Sequence, residues 1–469
     1  MSIIFGARRT GRSLSAGQFV VAVAVVSAAF TSIYLRRLNL HFSNVDDFLY
    51  AKQAPDLRSA HGPIEIARAW RSSSSNSPLV PSLAAVLGGS PNRMVLVQFP
   101  LLLTLLFFVR VLLGQLGTPS WFAAAAVVVA GPVLSYAGML SFAVAATTLT
   151  VGALALSFAS EGLTHRAITV LFGVDLGLLS LSRVVAPVYI VAILVVVVRS
   201  RRVLLPLAVG TAVAAPWWII AGPSAVKYLL TAGYDQSGGQ AGTQGLSRVL
   251  GRFAHTSAET GVCLFVLVSL AVVVALTQRG PMRETSAVVL VTMLFLGTSS
   301  NAGTAFALPA VTLAMCCLVA QSRVMVAPLL MSSILLVSGL SGPWLSELPS
   351  ATQLRDAVGA TPTDTQEIAL EVLHVVGGRR ALLVREDAAL NANELTFLRP
   401  SLLLSVPDFS AKSAALGDFQ AVITGTTGAT YLPLLSATSW SSELAPAGFR
   451  MMYQHRYGPT GDVQVWVRS

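Results

Sequence analysis

The chain has 469 residues, of which 54% are hydrophobic and only 11% are charged, and its mean hydropathy is +0.70. Soluble proteins carry roughly 25% charged residues, so this composition excludes a soluble globular protein. It predicts an α-helical, polytopic membrane protein. The formal net charge of +10 is distributed between apolar runs. That distribution fits membrane flanks and anionic headgroups, and it argues against a nucleic-acid partner.

Uncharged apolar runs predict about eleven transmembrane helices. The first run, residues 18–35, follows three arginines and has no small-residue cleavage site, so it is predicted to be a retained signal anchor. The two longest runs should break at Gly131-Pro132, near Gly138 and around residues 299–303. Short loops dense in arginine favour a cytoplasmic N-terminus in the cell (cytoplasmic) membrane, with residues 36–78 and the C-terminus outside.

The first outer loop, residues 36–78, carries two adjacent acids, Asp46 and Asp47, in its first third. Like charges beside a lipid boundary lose hydration and repel, so one pKa should rise while the pair stays available for proton transfer or metal binding. The competing interpretation is a pair of solvated loop acids. His61 follows in the same loop, without any metal-ligand spacing.

Two ionisable residues interrupt the later apolar runs. Arg183 divides the segment from Ala167 to Val198 and should lie at the outer interface between two short crossings. Its alternative role is that of a snorkelling arginine that contacts headgroups. Asp175 is the one acid deep in a crossing, and we expect it to hydrogen-bond a Ser or Thr of a neighbouring helix, with a proton relay as the alternative. A second outer loop, Gly222 to Glu259, contains a Gly-rich stretch.

Several short motifs occur in order along the chain: Asp46-Asp47 followed by Phe48-Leu49-Tyr50, then Pro78-Leu79, Leu181-Ser182-Arg183, Pro216-Trp217-Trp218 and Ala307-Leu308-Pro309-Ala310. Together they resemble the C-type membrane glycosyltransferases (GT-C), and are most similar to the branch of the protein O-mannosyltransferases and the lipid A aminoarabinose transferase. The acid pair after the first crossing is the specific part of the resemblance, and Pro-Trp marks a helix end in that branch. Two departures are Asn76-Ser77 before a single proline, and Thr304-Ala305-Phe306 where the family has Arg-Tyr.

The resemblance implies an inverting transfer of a sugar from a polyprenyl phosphate to a hydroxyl of a glycan, lipid or protein acceptor. Asp46 matches the first acid of the family's pair and is predicted to be the general base. Asp47 would orient Asp46, raise its pKa, or help hold a divalent ion such as Mg²⁺ or Mn²⁺. No other cofactor is implied.

The departing phosphate needs cations or donors aimed at its developing negative charge. Arg183 is the first candidate because a planar, always-charged fork suits a phosphate. Other candidates share the outer loops: Arg58 and Arg71 for the phosphate, and Tyr50, His61, Asn76 and Tyr234 for the substrate cavity.

Composition changes after Pro343-Trp344, so we predict a transmembrane domain over residues 1–345 and a small extracytoplasmic α/β domain over residues 346–469. A helix is predicted after a capping box that begins at Asp364, and Gly377 should stop it. Short strands are predicted at residues 381–384 and 419–424, and a hairpin at residues 451–467. The apolar face of the helix is predicted from five side chains: Ile368, Leu370, Val372, Leu373 and Val376.

Two other functional classes remain open. A transporter or flippase of a lipid-linked substrate would place several polar groups near the midplane and often show two related halves. Here only Asp175 is deep, and no repeat is visible. A non-catalytic scaffold for envelope assembly is the third class.

Overall fold

Helices and a small C-terminal sheet make up the structure of the chain, which is a computed structural model. It describes residues 16–39, 50–72, 77–88, 91–197, 201–234, 246–297, 304–338, 365–384, 390, 392–405, 416–425, 444–457 and 461–469. The predicted acid pair lies outside these residues.

The first half of the transmembrane part begins with a long helix and three short helices of the first outer loop, followed by apolar helices. They are α1 (Ala16–Asn39), α2 (Ala54–Ser59), α3 (Pro63–Ser72), α4 (Leu79–Leu87), α5 (Pro91–Met94), α6 (Gln98–Gln115), α7 (Trp121–Val128), α8 (Gly131–Ala137), α9 (Phe142–Ala159) and α10 (Arg166–Ser182). The second half continues with α11 (Ala186–Val197), α12 (Leu204–Tyr234), α13 (Leu246–Thr260), α14 (Val262–Leu276), α15 (Pro281–Gly297), α16 (Leu308–Gln321) and α17 (Val326–Ser338). Short 3-10 turns precede several of them, including Thr304–Phe306 before α16.

The chain is a multi-pass membrane protein, as its composition predicts. Fewer of its described helices than the predicted eleven are long enough to cross a membrane alone. Among the described residues, four helical segments are long and apolar enough to cross a bilayer alone: Ala16–Arg36, Asn92–Gln115, Phe142–Ala159 and Leu204–Lys227. Helices α13 and α14 would give a fifth span, bent by 117° at Gly261. The count falls short of eleven because the other apolar helices have fewer than 18 residues.

Helix boundaries confirm some predicted breaks and correct others. The chain breaks before Gly131 and again at Gly138, as predicted. Helix α6 continues through the charged residue Arg110 to Gln115, so this charge does not mark a helix end. The helix also does not end at Pro216-Trp217-Trp218, since α12 continues through Pro216 and Pro223. Prolines are tolerated in apolar transmembrane helices because neighbouring groups satisfy the freed backbone. Much of the predicted second outer loop is therefore helical.

Helix α9 is the most enclosed of the long apolar helices, with 89% of its residues buried inside the bundle. It packs against α6, α10 and α16. Small side chains let these neighbours approach closely. At Gly152, a Cβ would lie 2.6 Å from Phe108 of α6 and 2.8 Å from Asp175 of α10. This packing fixes the N-terminal end of α9, where Phe142 is its first residue.

Helices α10 and α12 are in backbone contact through glycines. A Cβ at Gly173 would lie 2.7 Å from the carbonyl oxygen of Pro206, and one at Gly177 would lie 2.8 Å from that of Gly210. The four-residue spacing puts both glycines on one face of α10, as in the small-residue interfaces of membrane helices. The contact determines where the C-terminal end of α10 lies.

The segment between α1 and α5 folds onto the bundle through three short helices. Helix α2 packs against α3 and α4, while α3 contacts α12 and α4 contacts α10. A hydrophobic cluster, which we call the loop cluster, holds them in place and includes Tyr50, Ala51, Ala54, Val80, Ala84 and Ala85. The loop is therefore attached to the helices that carry Phe142 and Arg183.

The C-terminal residues form the predicted α/β layer. Helix α18 (Thr365–Val376) is stopped by Gly377, whose φ is +62°. The strands β1 (Ala381–Leu383), β2 (Leu404–Ser405), β3 (Ala421–Gly425), β4 (Phe449–Tyr457) and β5 (Gly461–Arg468) form one sheet in the order β2-β1-β3-β5-β4, and helix α19 (Ala392–Leu398) lies between β1 and β2 in the chain. Strands β1, β2 and β3 are parallel, while β5 is antiparallel to both β3 and β4.

The prediction for the apolar face of α18 is wrong at one residue. Ile368, Val372, Leu373 and Val376 are buried against the sheet, but Leu370 is 50% exposed. Two positions after Ile368 the helix has turned by roughly 200°, so Leu370 lies on the opposite side. The domain boundary near residue 345 stays a prediction because residues 339–364 are outside the described part.

Candidate active site

Arg183 lies at the junction of two apolar helices. Helix α10 ends at Ser182, and the backbone of Arg183 is extended, with φ −164° and ψ 147°. The N–H of Ala186 then donates to the carbonyl oxygen of Arg183 at 3.1 Å, at the start of α11. Arg183 is only 7% exposed. The junction therefore holds a buried cation, whereas a snorkelling arginine would extend its head group into water.

The guanidinium of Arg183 is stacked between two aromatic rings. Its Cζ lies 3.3 Å from the ring centroid of Phe142 and 3.2 Å from that of Phe306. The two ring centroids are 6.1 Å apart. A cation over an aromatic face is stabilised by about 2 kcal/mol or more when both are desolvated. The planes of the two rings are tilted by 48° to each other, so aromatic carbon encloses the cation on two sides and a ligand can reach its N–H groups only from the remaining directions.

Phe142 is held by the break before α9. The side-chain amide of Gln98, which is fully buried, donates to the carbonyl oxygens of Met139 and Ser141 at 2.9 and 2.8 Å. The Ser141 hydroxyl then accepts from the N–H of Ala143 at 3.3 Å and caps the helix. These bonds satisfy the backbone of the break and fix the position of the first residue of α9.

Phe306 is held by Tyr189, a fully buried residue of α11. The Tyr189 hydroxyl donates to the carbonyl oxygen of Phe306 at 2.8 Å, and the same side chain forms a hydrogen bond with Arg183. One hydroxyl therefore contacts both the cation and the residue that stacks on it. A phenol can accept from the guanidinium while it donates to the carbonyl.

Tyr50 brings the first outer loop to this site. Its ring contacts Phe142 edge-on, with the centroids 5.7 Å apart, and the side chain is 7% exposed. Of the predicted site residues, the structure thus brings together Tyr50 and Arg183, on either side of Phe142. Asp46, Asp47 and Asn76 lie outside the described residues.

The other predicted residues are not brought to Arg183. Arg58 is exposed, and its guanidinium lies against Gly88 at the C-terminal end of α4, where φ is +59° and a Cβ would clash. His61 is exposed, and its backbone N–H donates to Glu65 at 2.6 Å. Arg71 is exposed in the last turn of α3. Tyr234 is the last residue of α12, and its side chain is not described.

Among the described residues, no group of three or more His, Cys, Asp or Glu side chains could hold a metal ion. Asp46 and Asp47 lie outside these residues, so a divalent ion at the acid pair stays a prediction.

Asp175 does not make the predicted hydrogen bond. It is 5% exposed, and one of its carboxylate oxygens is buried without a hydrogen-bond partner among the residues that the structure describes. Its carboxylate faces Gly152 and Phe108. The neighbouring surface of α9 carries no side chain at Gly152, so the Ser or Thr that was expected is not there.

The sequence did not reveal Phe142, Phe306, Tyr189 or Gln98. Phe306 was noted only as part of a departure from the family, at the position of its Arg-Tyr. Arg183 itself was a signal for such residues, because a buried arginine between apolar helices needs an aromatic or polar partner. Which residue supplies it depends on how distant helices converge.

Comparisons with known proteins give the fold. No family model matches the chain, and no curated protein sequence matches it either. A crystal structure of ArnT from Cupriavidus metallidurans bound to undecaprenyl phosphate is 14% identical and covers 96% of this chain and 98% of that chain, with a TM-score of 0.62. The apo structure of that protein gives a TM-score of 0.59 at 14% identity, covering 97% of this chain and 98% of that one.

An oligosaccharyltransferase from Archaeoglobus fulgidus, tethered with an acceptor peptide, is a more distant match. It is 12% identical, covers 82% of this chain and 56% of that chain, and has a TM-score of 0.41. The two ArnT structures match both the transmembrane helices and the C-terminal layer, since nearly the full length of each chain is covered. The chain therefore has the fold of the C-type membrane glycosyltransferases, in the form found in the lipid A aminoarabinose transferase ArnT.

Proposed function

We propose that the protein is an inverting glycosyltransferase that moves a sugar from a polyprenyl-phosphate donor to an acceptor hydroxyl on the outer face of the cytoplasmic membrane. The observation that carries this proposal is the buried cation of Arg183, held between two aromatic rings where two apolar helices meet. ArnT, which has the same fold, was crystallised with undecaprenyl phosphate. A fixed cation in such a fold suits the phosphate of a lipid-linked donor.

Arg183 would bind the phosphate through the edge of its guanidinium. The rings of Phe142 and Phe306 enclose the guanidinium on two sides, and the N–H groups that stay open would form a fork that matches two phosphate oxygens. As the bond to the sugar breaks, negative charge grows on the phosphate, and a cation already in place stabilises it without reorganisation. The apolar rings also give the first isoprene units a surface to pack against.

Asp46 would be the general base. Its carboxylate takes the proton of the acceptor hydroxyl, and the acceptor oxygen attacks the anomeric carbon from the face opposite the phosphate. The bond between that carbon and the phosphate oxygen breaks, and the phosphate leaves with the electron pair. General base catalysis contributes about 10²–10⁴-fold. Asp47 would orient Asp46, raise its pKa or help hold a divalent ion.

The remaining candidates have supporting roles in this proposal. Arg58 and Arg71 are exposed on short helices away from Arg183, and they would attract the anionic donor to the membrane surface rather than hold its phosphate. Tyr50, His61, Asn76 and Tyr234 would line the cavity for sugar and acceptor, and the contact of Tyr50 with Phe142 supports its inclusion. The acceptor would be a glycan, a lipid or a protein of the cell envelope. The N-terminus would be cytoplasmic, with the C-terminal domain outside.

The base assignment can be tested by replacing Asp46 with Asn. We expect Asp46→Asn to reduce sugar transfer by about 10²-fold or more, because the amide cannot accept the proton. Transfer is measured in membranes with radiolabelled polyprenyl-phosphate sugars. Asp56→Asn is the matched control, since Asp56 is an exposed acid of the same loop.

Two results would contradict the proposal. Undiminished transfer by Asp46→Asn would rule out Asp46 as the base and leave the donor assignment standing. An inactive wild-type protein with every polyprenyl-phosphate sugar tried would favour a transporter of a lipid-linked substrate or a non-catalytic scaffold.

A further inference from the structure

The C-terminal domain contacts the first outer loop through one short helix, α19. The Nζ of Lys52 donates to Oγ1 of Thr396 at 3.4 Å. Phe397, the next residue of α19, packs against the loop cluster that contains Tyr50, Ala51 and Ala54. One polar and one apolar contact therefore join the domain to the segment that directly follows the acid pair.

Helix α19 is also firmly attached to its own domain. Leu395 is fully buried in the core of the sheet layer. Just after the helix, Nη1 of Arg399 donates to the carbonyl oxygens of Leu373 and Gly377 at 2.7 Å each. Those carbonyls belong to the C-terminal end of α18, where a cation is favourable. Movement of α19 would therefore require the whole domain to move.

A continuous series of packed side chains runs from α19 to the buried cation. Phe397 packs on the loop cluster, Tyr50 of that cluster lies edge-on to Phe142, and Phe142 stacks on Arg183. Tyr50 follows Asp47 by three residues, so chain geometry keeps their Cα atoms within about 11 Å of each other. Fixing Tyr50 therefore restricts where the acids can be relative to Arg183.

We propose that Phe397 and Thr396 are positioning residues, through which the C-terminal domain holds the acid-bearing loop in register with Arg183. This inference rests on the proposed function, because it needs a base and a phosphate-binding cation that act on one substrate. A base and its substrate must be held within a fraction of an ångström, and a 1 Å misplacement can cost about 10²-fold in rate. Removing the domain's contact would loosen the loop while leaving every reacting group in place.

The central test is Phe397→Ala in the full-length protein. We expect kcat to fall between about tenfold and 10²-fold, while KM for the donor changes less than kcat, because Arg183 is untouched. Hydrogen–deuterium exchange of a peptide spanning residues 50–59 should rise in the same variant. Phe397→Leu keeps an apolar side chain and should restore most of kcat and of the protection.

Leu370→Ala is the matched control. Leu370 is an apolar residue of the same domain that lies on the exposed face of α18, away from α19's contact with the loop. It should leave kcat and loop exchange at the wild-type level. Lys52→Met removes the same contact from the side of the loop, so it cannot unfold the C-terminal domain. We expect kcat to fall about two- to tenfold, and Lys52→Arg should retain activity.

Exchange and kinetics separate the possible failures. Unchanged exchange of residues 50–59 in Phe397→Ala would overturn the positioning role, whatever the activity. Raised exchange with a kcat equal to that of Leu370→Ala would overturn it as well. If the wild type transfers no sugar, the proposed function fails, and the exchange data still decide whether the domain holds the loop.

Discussion

The arginines of the helix junction and those of the first outer loop carry the same charge in opposite surroundings. Arg183 is buried, stacked between two rings and hydrogen-bonded to Tyr189. Arg58 and Arg71 are exposed, and Arg58 lies at the C-terminal end of a short helix. A buried and oriented cation acts through a low dielectric, whereas an exposed one is screened by water and salt. Position, and not residue type, therefore separates a phosphate-binding candidate from a surface charge.

The largest effect should come from removing the buried cation. We expect Arg183→Ala to lower kcat/KM by about 10²–10³-fold, since no other group replaces the stabilisation of the leaving phosphate. Arg183→Lys should also be impaired, because a point charge neither fills the space between the rings nor presents a planar fork. Transfer from a radiolabelled polyprenyl-phosphate sugar measures both variants.

Arg71→Ala is the exposed counterpart in that experiment and should lose less than about fivefold. Equal losses of kcat/KM in Arg71→Ala and Arg183→Ala would mean that the buried and the exposed arginines do not differ in function.

An intermediate effect should follow from removing one of the two rings. Phe306→Leu leaves the charge in place but takes away one stacking surface, so we expect undecaprenyl phosphate to bind about tenfold more weakly as Arg183 loses its fixed orientation. Phe306→Tyr keeps the ring and should bind like the wild type. Lipid affinity can be measured by native mass spectrometry in detergent. Unaltered binding by Phe306→Leu would mean that the stacking does not orient the cation.

The smallest effect on transfer should come from Asp175, an acid buried inside the helix bundle. Asp175 has a buried carboxylate oxygen without a partner and faces Gly152 and Phe108 in the bundle, away from the aromatic pair. Asp175→Asn should change transfer by less than about twofold and raise stability by about 1 kcal/mol or less, since an amide costs less to bury than a carboxylate. Activity and thermal melting are the two measurements. A loss above tenfold would instead support a proton relay through Asp175.

The sequence predicts the helices better than it predicts their meeting points. Arg183 was located between two short crossings because charge is rare in apolar runs, and the breaks at Gly131 and Gly138 followed from local chemistry. Phe142 and Phe306 could not be paired in this way, since their contact depends on how α9 and α16 pack. Pro216 was misleading because the helix bundle overrides a local signal for a helix end.

The glycine contact between α10 and α12 has a consequence for Arg183, two turns further along. At Gly177 even one added methyl group would meet Val213 at 2.6 Å and the Gly210 carbonyl oxygen at 2.8 Å. The helices would have to separate, and the rigid rod between Gly177 and Arg183 would carry that displacement outward to the rings. The position of the cation thus depends on the absence of a side chain at Gly177, about two turns away along the chain.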